Sequence, residues 1–175
     1  KNAATRVAAL LSGEIDLVTD APVQDLARIK SSGGHKVEST PQMRTIFLGM
    51  DQAVDKLRSG NTGDNPFKKK EVRQALYQAI DIEAIKKKVM RGLSEPAGII
   101  TFPGVTGYTK ALDKRLPYDV DAAKQLLADA GYPDGFDVEL RCPNDRYVND
   151  EAICTAVVGM LGKIGVNVNL FAQTK

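Results

Sequence analysis

The sequence predicts an α/β fold, and three patterns towards its C-terminal end support that prediction. Residues 136–142 and residues 166–170 alternate apolar and polar side chains, as half-buried strands do. Between them, apolar residues recur at the three- and four-residue intervals of one helical face: Ala152, Ile153, Ala156, Val157, Met160, Leu161 and Ile164. Two strands joined through a helix by short connections form a βαβ unit, in which the strands are parallel and the crossover is right-handed.

The N-terminal part of the chain predicts two helices and two strands. The first helix ends at Gly13, a residue type that tolerates the left-handed conformation after a helix, and the second runs from Pro22 to Gly33. Residues 15–18 and residues 45–50 are short apolar runs of strand length. Because the second run is mostly apolar, we expect it to lie in the centre of the sheet.

The middle of the chain predicts a loop, two helical regions and an irregular segment. Residues 51–66 are rich in turn-forming residues, and the strongest helical stripe follows over residues 72–80. Asp81 is expected to cap a further helical segment. Residues 93–118 contain several prolines and glycines and are expected to cross the domain without regular structure. A compact helix is expected over residues 122–130.

Length and charge limit the classes of function. The chain has 175 residues, so we expect one α/β domain over residues 1–175 with a core of its own. Its net charge is only +2, and no aromatic residues are interleaved with its lysine runs, so nucleic acid is not an expected partner. The longest apolar runs are a few residues, whereas a membrane-spanning helix needs about 20. A membrane-spanning chain is therefore not expected either.

The common motifs of enzymes and metal sites are missing from the sequence. There is no G-x-S-x-G, G-x-x-x-x-G-K-[ST], G-x-G-x-x-G or H-E-x-x-H pattern. The single histidine, His35, makes no zinc-binding spacing with Cys142 and Cys154. We therefore predict no catalytic residue, no metal and no cofactor. From the residues alone, the two cysteines form either one disulfide or two small buried side chains.

The candidate binding site is the segment between the first predicted strand and the helix of the βαβ unit. It leaves the carboxyl end of a parallel strand, where open α/β sheets bind ligands, and it enters a helix N terminus. Arg146 suits a carboxylate ligand because its guanidinium can donate two parallel hydrogen bonds. Tyr147 adds a flat wall and a hydroxyl. The predicted ligand-binding residues are Asn144, Asp145, Arg146 and Tyr147.

A purely structural interpretation of the same segment stays open. Asp145 or Asp150 can pair with Arg146, and Asn149 or Asp150 can cap the helix.

Four blocks of the chain carry a family resemblance. Residues 11–16 are similar to an L-x-x-G-E-[IV]-D turn, and residues 67–81 to an F-x-D-x-R-V-R-x-A-[LF]-x-x-A-[IV]-D helix, with Lys69 where many relatives have Asp. Residues 116–136 are similar to a Y-D-x-x-x-A-K-x-L-L-x-x-A-G-[YF]-x-x-G-F block, and residues 161–166 to an L-x-x-[IL]-G-[IV] helix end. In this order, the blocks resemble the extracellular solute-binding proteins of family 5, the dipeptide, oligopeptide and nickel class of ABC importers.

The resemblance implies both an architecture and a role. It implies one lobe of a two-lobed periplasmic binding protein of type II, a Venus-flytrap-like fold, with the other lobe and a returning C-terminal segment lying outside this sequence. The expected role is to bind a peptide or similar small solute between the lobes and to deliver it to the permease subunits of an ABC importer, without catalysis. The expected location is periplasmic, or extracellular on a lipid anchor. In peptide-binding relatives an arginine in a similar loop holds the ligand carboxylate, and Arg146 falls at the matching place.

The resemblance also bears on the two cysteines. Export would allow a bridge between Cys142 and Cys154. However, Cys154 is predicted one turn into the helix, and bridged Cα atoms must lie within about 7 Å of each other. Both alternatives stay open, and the bridge is the one that we do not favour.

Two other classes of function are kept as alternatives. One is a small α/β enzyme, a transferase or hydrolase, with its site on residues 143–149. The other is an interaction domain that uses an apolar surface left for a partner.

Overall fold

The computed structural model describes residues 2–174. Its α-helices are α1 (Ala3–Leu11), α2 (Leu26–Ser31), α3 (Lys70–Ala79), α4 (Ile82–Ala84), α5 (Val120–Asp129) and α6 (Asp150–Gly162). A 3₁₀ turn spans Pro66–Lys68, and a π-helical turn, Ile85–Val89, continues α4. The strands are β1 (Phe136–Pro143) and β2 (Val166–Gln173).

The βαβ unit forms as the sequence predicts. β1 and β2 pair in parallel, in a register that runs from Phe136 opposite Val166 to Pro143 opposite Gln173. α6 connects the two strands and packs on them. The α/β fold is thus confirmed.

The main core lies between the inner face of this sheet and the helices α3, α5 and α6. Phe136 and Val166, the first residues of the two strands, are almost fully buried there. The α3 stripe and the α5 stripe pack against each other, as their helical spacing predicts. The buried members of this core include Phe67, Val72, Ala75, Leu76, Ala79, Ala123, Leu127, Val138, Val157 and Leu161.

A second, smaller apolar cluster holds the N-terminal helices together. Val7 and Leu10 of α1 pack with Ile29 of α2, and these three residues are buried. Asn2 caps α1 through its side-chain oxygen, which accepts from the backbone N–H of Ala4 at 2.8 Å.

Neither of the two predicted N-terminal strands forms. Residues 15–18 and residues 45–50 are irregular, and within residues 2–174 the sheet contains β1 and β2 alone. A strand needs a neighbour for its backbone N–H and C=O groups, and neither run has one in the described chain. In the second run, Leu48 and Met50 pack on the main core, while the side chain of Phe47 is 64% exposed. The expectation of a central strand at 45–50 is therefore wrong.

The middle of the chain is held mainly by side-chain contacts to the backbone. Asp81 caps α4 by accepting from the backbone N–H of Ala84 at 2.8 Å, as predicted. Residues 93–118 contain no helix or strand. In that segment Asp113 accepts from the backbone N–H of Gly98 and from the hydroxyl of Tyr108, and the first of these bonds is the main reason why the pKa of Asp113 is lowered.

The loop before α3 is fastened to the turn before β1. The hydroxyl of Tyr132 donates to the carboxylate of Asp64 at 2.8 Å, and Lys69 lies 4.7 Å from the centre of the tyrosine ring. Burial, followed by the hydrogen bond to Asp64, raises the pKa of Tyr132 to about 12. Lys69 also donates to the carbonyl of Ala130 at 2.8 Å, so it joins the start of α3 to the end of α5.

The two cysteines form a disulfide, which is the alternative that the sequence did not favour. The Cα atoms of Cys142 and Cys154 are 6.6 Å apart, within the range that a bridge spans. Cys142 lies on the inner face of β1 near its end, and α6 packs against that face. Cys154, one turn into α6, therefore lies close to the end of β1.

We expect this bridge to stabilise the chain measurably. Its sequence separation is 12, and in the chain-entropy model closing a loop of that size contributes about 2–3 kcal/mol. Reduction should lower the urea midpoint of the chain accordingly, and a Cys142→Ser/Cys154→Ser variant should show no response to the reductant. Titration of the unreduced, denatured chain should find no reactive thiol. Two reactive thiols per chain would contradict the bridge.

The starts of the two strands approach so closely that glycine is required there. Gly135 has a φ of +74°, and a Cβ atom at this position would lie 2.0 Å from the carbonyl oxygen of Gly165. The second glycine also has a positive φ, of +82°. Turns that enter β1 and β2 therefore pack backbone against backbone, which sets the first residues of both strands in register.

Gly135→Ala should destabilise the chain more than the same change at an open left-handed position. Gly107 is a matched control, because its φ is +92° and nothing lies within 4 Å of a Cβ added there. Both variants carry the left-handed strain of roughly 1–2 kcal/mol. Gly135→Ala also has a steric clash, which we expect to cost about 1–3 kcal/mol more. The measurement is urea unfolding of both variants, and equal losses would contradict the close approach.

Candidate functional site

The candidate site is the loop of residues 144–149, which connects the carboxyl end of β1 to the N terminus of α6. The backbone N–H of Asn144 donates to the carbonyl of Gln173 at 3.1 Å, which extends the parallel ladder one step beyond β1. The loop therefore begins at a fixed point on the sheet. Its location at a carboxyl strand end is where open α/β sheets place their ligands.

A buried carboxylate shapes the loop. Asp150, which is 7% exposed, accepts from the backbone N–H of Arg146 at 2.9 Å and from that of Tyr147 at 3.1 Å with one oxygen. Its other oxygen accepts from the backbone N–H of Glu151 at 3.0 Å. Asp150, one of the two partners that the structural interpretation offers for Arg146, thus binds the backbone N–H of that residue.

Asn149 ties the loop to two distant parts of the chain. Its backbone is left-handed, with a φ of +56°, a conformation that asparagine adopts more readily than most residues. Its side-chain amide donates to the carbonyl of Val89 at 2.8 Å, and its oxygen accepts from the side chain of Gln24 at 2.8 Å. Asn149 is the N-cap residue of α6, but its side chain makes no capping bond, so it is not the side-chain cap among the two candidates of the structural interpretation.

Three side chains meet on the outer side of the loop. The guanidinium carbon of Arg146 lies 5.1 Å from the centre of the Tyr147 ring, and that of Arg44 lies 5.4 Å from the same centre. Both arginines are exposed, and the tyrosine is partly buried. The arrangement is an aromatic surface beside two arginines that can donate hydrogen bonds to an anion.

The four predicted residues thus play different parts in the geometry. Arg146 and Tyr147 come together, while Asn144 and Asp145 are exposed beside them. Sequence reasoning did not find Arg44, because an arginine in an irregular segment 100 residues before the loop has no pattern that connects it to Tyr147. The roles of Asn149 and Gln24 were missed for the same reason.

A surface depression lies elsewhere on the sheet. It has a volume of about 610 Å³ and includes none of the four predicted residues. Its polar lining comes from the loop beside β1 and from the two strands: Ser59, Asn61, Asp137, Glu139, Asn167 and Asn169. Asn61 accepts from the backbone N–H of Asp137 at 2.9 Å, so this loop covers part of the free edge of β1. We assign the candidate site to the loop of residues 144–149 because of its position at a carboxyl strand end and its positive charge. We do not assign it to the depression, because the depression is shaped by the contact between Asn61 and the edge of β1.

Two further surveys cover the described part of the chain. Residues 2–174 contain no group of three or more histidine, cysteine, aspartate or glutamate side chains that is arranged to hold a metal ion. No helix in the same residues combines the length and the apolar character that crossing a membrane requires.

Proteins with similar sequences include a heme-binding and a glutathione-binding protein. Heme-binding protein A of Haemophilus influenzae is 31% identical over 174 residues, which cover 96% of this chain and 29% of that protein. The glutathione-binding protein GsiB of Salmonella typhimurium is 27% identical over 169 residues, covering 97% of this chain and 30% of that protein. The chain therefore spans less than a third of the length of these relatives.

Solved structures with the same fold include two ligand complexes. The binding protein AgaA of A. tumefaciens R10, in complex with agropinic acid, matches 99% of this chain and 33% of its own with a TM-score of 0.71 and 33% identity. The oligopeptide-binding protein AppA of Bacillus subtilis, in complex with a nonapeptide, matches 99% of this chain and 34% of its own with a TM-score of 0.78 and 25% identity. A match to about a third of each of these proteins is what we expect of one lobe of the two-lobed fold.

The family model for the middle part of the bacterial extracellular solute-binding proteins, family 5, matches residues 1–174. This match covers nearly the whole chain and agrees with the four blocks that the sequence shares with the family. The chain belongs to the bacterial extracellular solute-binding proteins of family 5.

Proposed function

We propose that the protein is the substrate-binding component of an ABC importer, which holds a peptide or similar small solute between two lobes and delivers it to the permease. The observation that carries the proposal is the guanidinium of Arg146. It is exposed on the loop at the carboxyl end of a parallel strand, beside the ring of Tyr147. An arginine in that position is suited to the carboxylate of a ligand.

Membership of the family and the ligands of its relatives support this function. The relatives are named as heme-binding and glutathione-binding proteins, and the solved structures hold agropinic acid and a nonapeptide. These names give no support to the alternative of a small α/β enzyme. The family is extracellular by description, and a disulfide fits an oxidising compartment, so we place the protein in the periplasm or on a lipid anchor outside the cell.

The geometry suggests how the lobe takes part in binding. Arg146 supplies two parallel hydrogen bonds to a carboxylate, and the ring of Tyr147 supplies an apolar wall beside it. Asn144 and Asp145 lie on the same loop, next to the space that the ligand would fill. Closure of a second lobe over this loop would trap the solute, and the permease would select the closed form. Binding free energy then comes from contacts on both lobes, minus the free energy needed for closure.

Replacing Arg146 should weaken carboxylate binding specifically. For the complete gene product, we expect Arg146→Gln to raise the dissociation constant of a dipeptide by about 10- to 100-fold, the usual value of a charge-assisted hydrogen bond. The amidated form of the same dipeptide should bind the wild type and the variant equally weakly. Calorimetry with both peptides measures the effect.

Arg141→Gln is the matched control for that experiment. Arg141 is an exposed arginine on β1, and it donates to Glu139 at 2.5 Å instead of facing the loop. We expect its replacement to leave both affinities unchanged. An unchanged affinity of Arg146→Gln for the free dipeptide would contradict the proposed site.

The 175-residue chain alone should bind far more weakly than the complete protein, because it offers the contacts of one lobe only. Calorimetry of the isolated chain with the same dipeptide should give no affinity tighter than micromolar. A submicromolar dissociation constant for the isolated chain would contradict binding between two lobes.

A further inference from the structure

We propose that Asp150 is a positioning residue for ligand binding. Its buried carboxylate holds the backbone of Arg146 and Tyr147, so that both side chains are in place before a ligand arrives. The inference rests on the proposed function, because it assumes that Arg146 binds the carboxylate of the ligand. It adds a residue that does not touch the ligand and that acts on affinity through Arg146.

The direction of the hydrogen bonds of Asp150 is the first observation. Asp119 shows the usual arrangement of a capping aspartate: it precedes α5 and accepts from the backbone N–H of Ala122, three residues ahead, at 2.9 Å. Asp150 is instead the first residue of α6, and one of its oxygens accepts from two N–H groups behind it, those of Arg146 and Tyr147. Its other oxygen accepts from the N–H of the next residue. Two of these three bonds therefore order the loop and not the helix.

The start of α6 is the second observation, because it departs from the usual helix start. Its N-cap residue, Asn149, has a left-handed backbone with a φ of +56°, and its side chain makes no capping bond. A side-chain cap stabilises a helix start, and the left-handed conformation is unfavourable for a residue with a Cβ atom. Departures of this kind concentrate at functional sites, where the order of a neighbouring segment matters more than local stability. Here that segment is the loop that carries Arg146.

The burial and the charge of Asp150 make its hold on the loop strong. The residue is 7% exposed, so water competes little for its oxygens. Hydrogen bonds from N–H groups to a carboxylate are stronger than bonds between neutral groups, and the two oxygens can accept all three N–H groups at once. The carboxylate also lies at the positive end of α6 and compensates it. The carboxylate of a ligand is therefore left to the guanidinium of Arg146.

An ordered loop backbone raises affinity because it reduces the entropy lost on binding. Without Asp150, the backbone around Arg146 and Tyr147 would have to be fixed when the ligand binds, and this ordering would lower the affinity. With Asp150 in place, that part of the chain is already fixed in the folded protein. Loss of Asp150 should therefore weaken the binding of ligands that use Arg146, and it should not affect ligands that do not use it.

The test is a double-mutant cycle, measured by calorimetry on the complete gene product with the dipeptide Ala-Ala and its C-terminal amide. We expect Asp150→Ala to raise the dissociation constant of Ala-Ala by about tenfold, the factor expected for ordering one long side chain and its backbone on binding. The amide, which offers no carboxylate to Arg146, should bind the wild type and the variant alike. Adding Asp150→Ala to Arg146→Gln should weaken the binding of Ala-Ala no further, because Asp150 acts through Arg146.

Two further variants separate positioning from a general loss of stability. Asp119→Ala removes the cap of α5, a helix that packs against α3. It should lower the urea midpoint and leave the dissociation constant of Ala-Ala unchanged. Asp150→Asn keeps one acceptor oxygen of the two, so we expect it to raise the dissociation constant by about threefold, less than Asp150→Ala does. If Asp150→Ala does not fold, as judged by circular dichroism, the cycle is measured with Asp150→Asn.

The possible failures are distinguishable from one another. If the folded Asp150 variants bind Ala-Ala as tightly as the wild type while Arg146→Gln weakens it, the inference is overturned and the proposed function stands. If the effects of the Asp150 and Arg146 variants add, or if the amide is weakened by the same factor, Asp150 supports the fold in general and the inference is again overturned. If Arg146→Gln changes nothing, or if the wild type does not bind Ala-Ala, both the inference and the proposed peptide-binding site are overturned.

Discussion

The parallel pairing of β1 with β2 is the constraint from which the rest of this structure follows. Parallel neighbours cannot be joined by a tight turn, so the chain must leave the carboxyl end of β1 and return across the sheet to the start of β2. α6 makes this return and covers the inner face of the sheet. The connection that enters α6 must therefore lie at the carboxyl edge of the sheet. The topology alone fixes the position of its residues there, independently of their side chains.

The loop at that edge combines a rigid backbone with accessible side chains. Asp150 takes up backbone N–H groups on both sides of the helix start, and the disulfide joins the strand before the loop to the helix after it. Neither constraint uses the guanidinium of Arg146 or the hydroxyl of Tyr147. A loop that is ordered through its backbone loses little conformational entropy when a ligand binds, and this preorganisation favours affinity.

The sequence correctly predicts elements that depend on a local pattern of apolar residues. Its predictions fail for features that depend on contacts with residues distant in the sequence. The stripes of α3, α5 and α6 and the alternation of β1 and β2 appear in the structure because each pattern reports burial of one face. Residues 45–50 have the composition of a strand, but pairing depends on a neighbour, and residues 2–174 provide none. The disulfide was misjudged for a related reason, because the path of α6 over β1 decides the distance between its Cα atoms. Arg146 and Tyr147 were predicted as site residues from topology, whereas the contact of Arg44 with Tyr147 is visible only in the coordinates.

Asn149 gives the loop a mechanical role that its size does not suggest. One amide group links the loop to Gln24, which precedes α2 in the N-terminal part of the chain, and to Val89 at the end of the π-helical turn. If the N-terminal helices shift against the main core, these two hydrogen bonds must either break or pull the start of α6 with them. One side chain three residues from Arg146 thus connects the start of α6 with both the N-terminal helices and the π-helical turn.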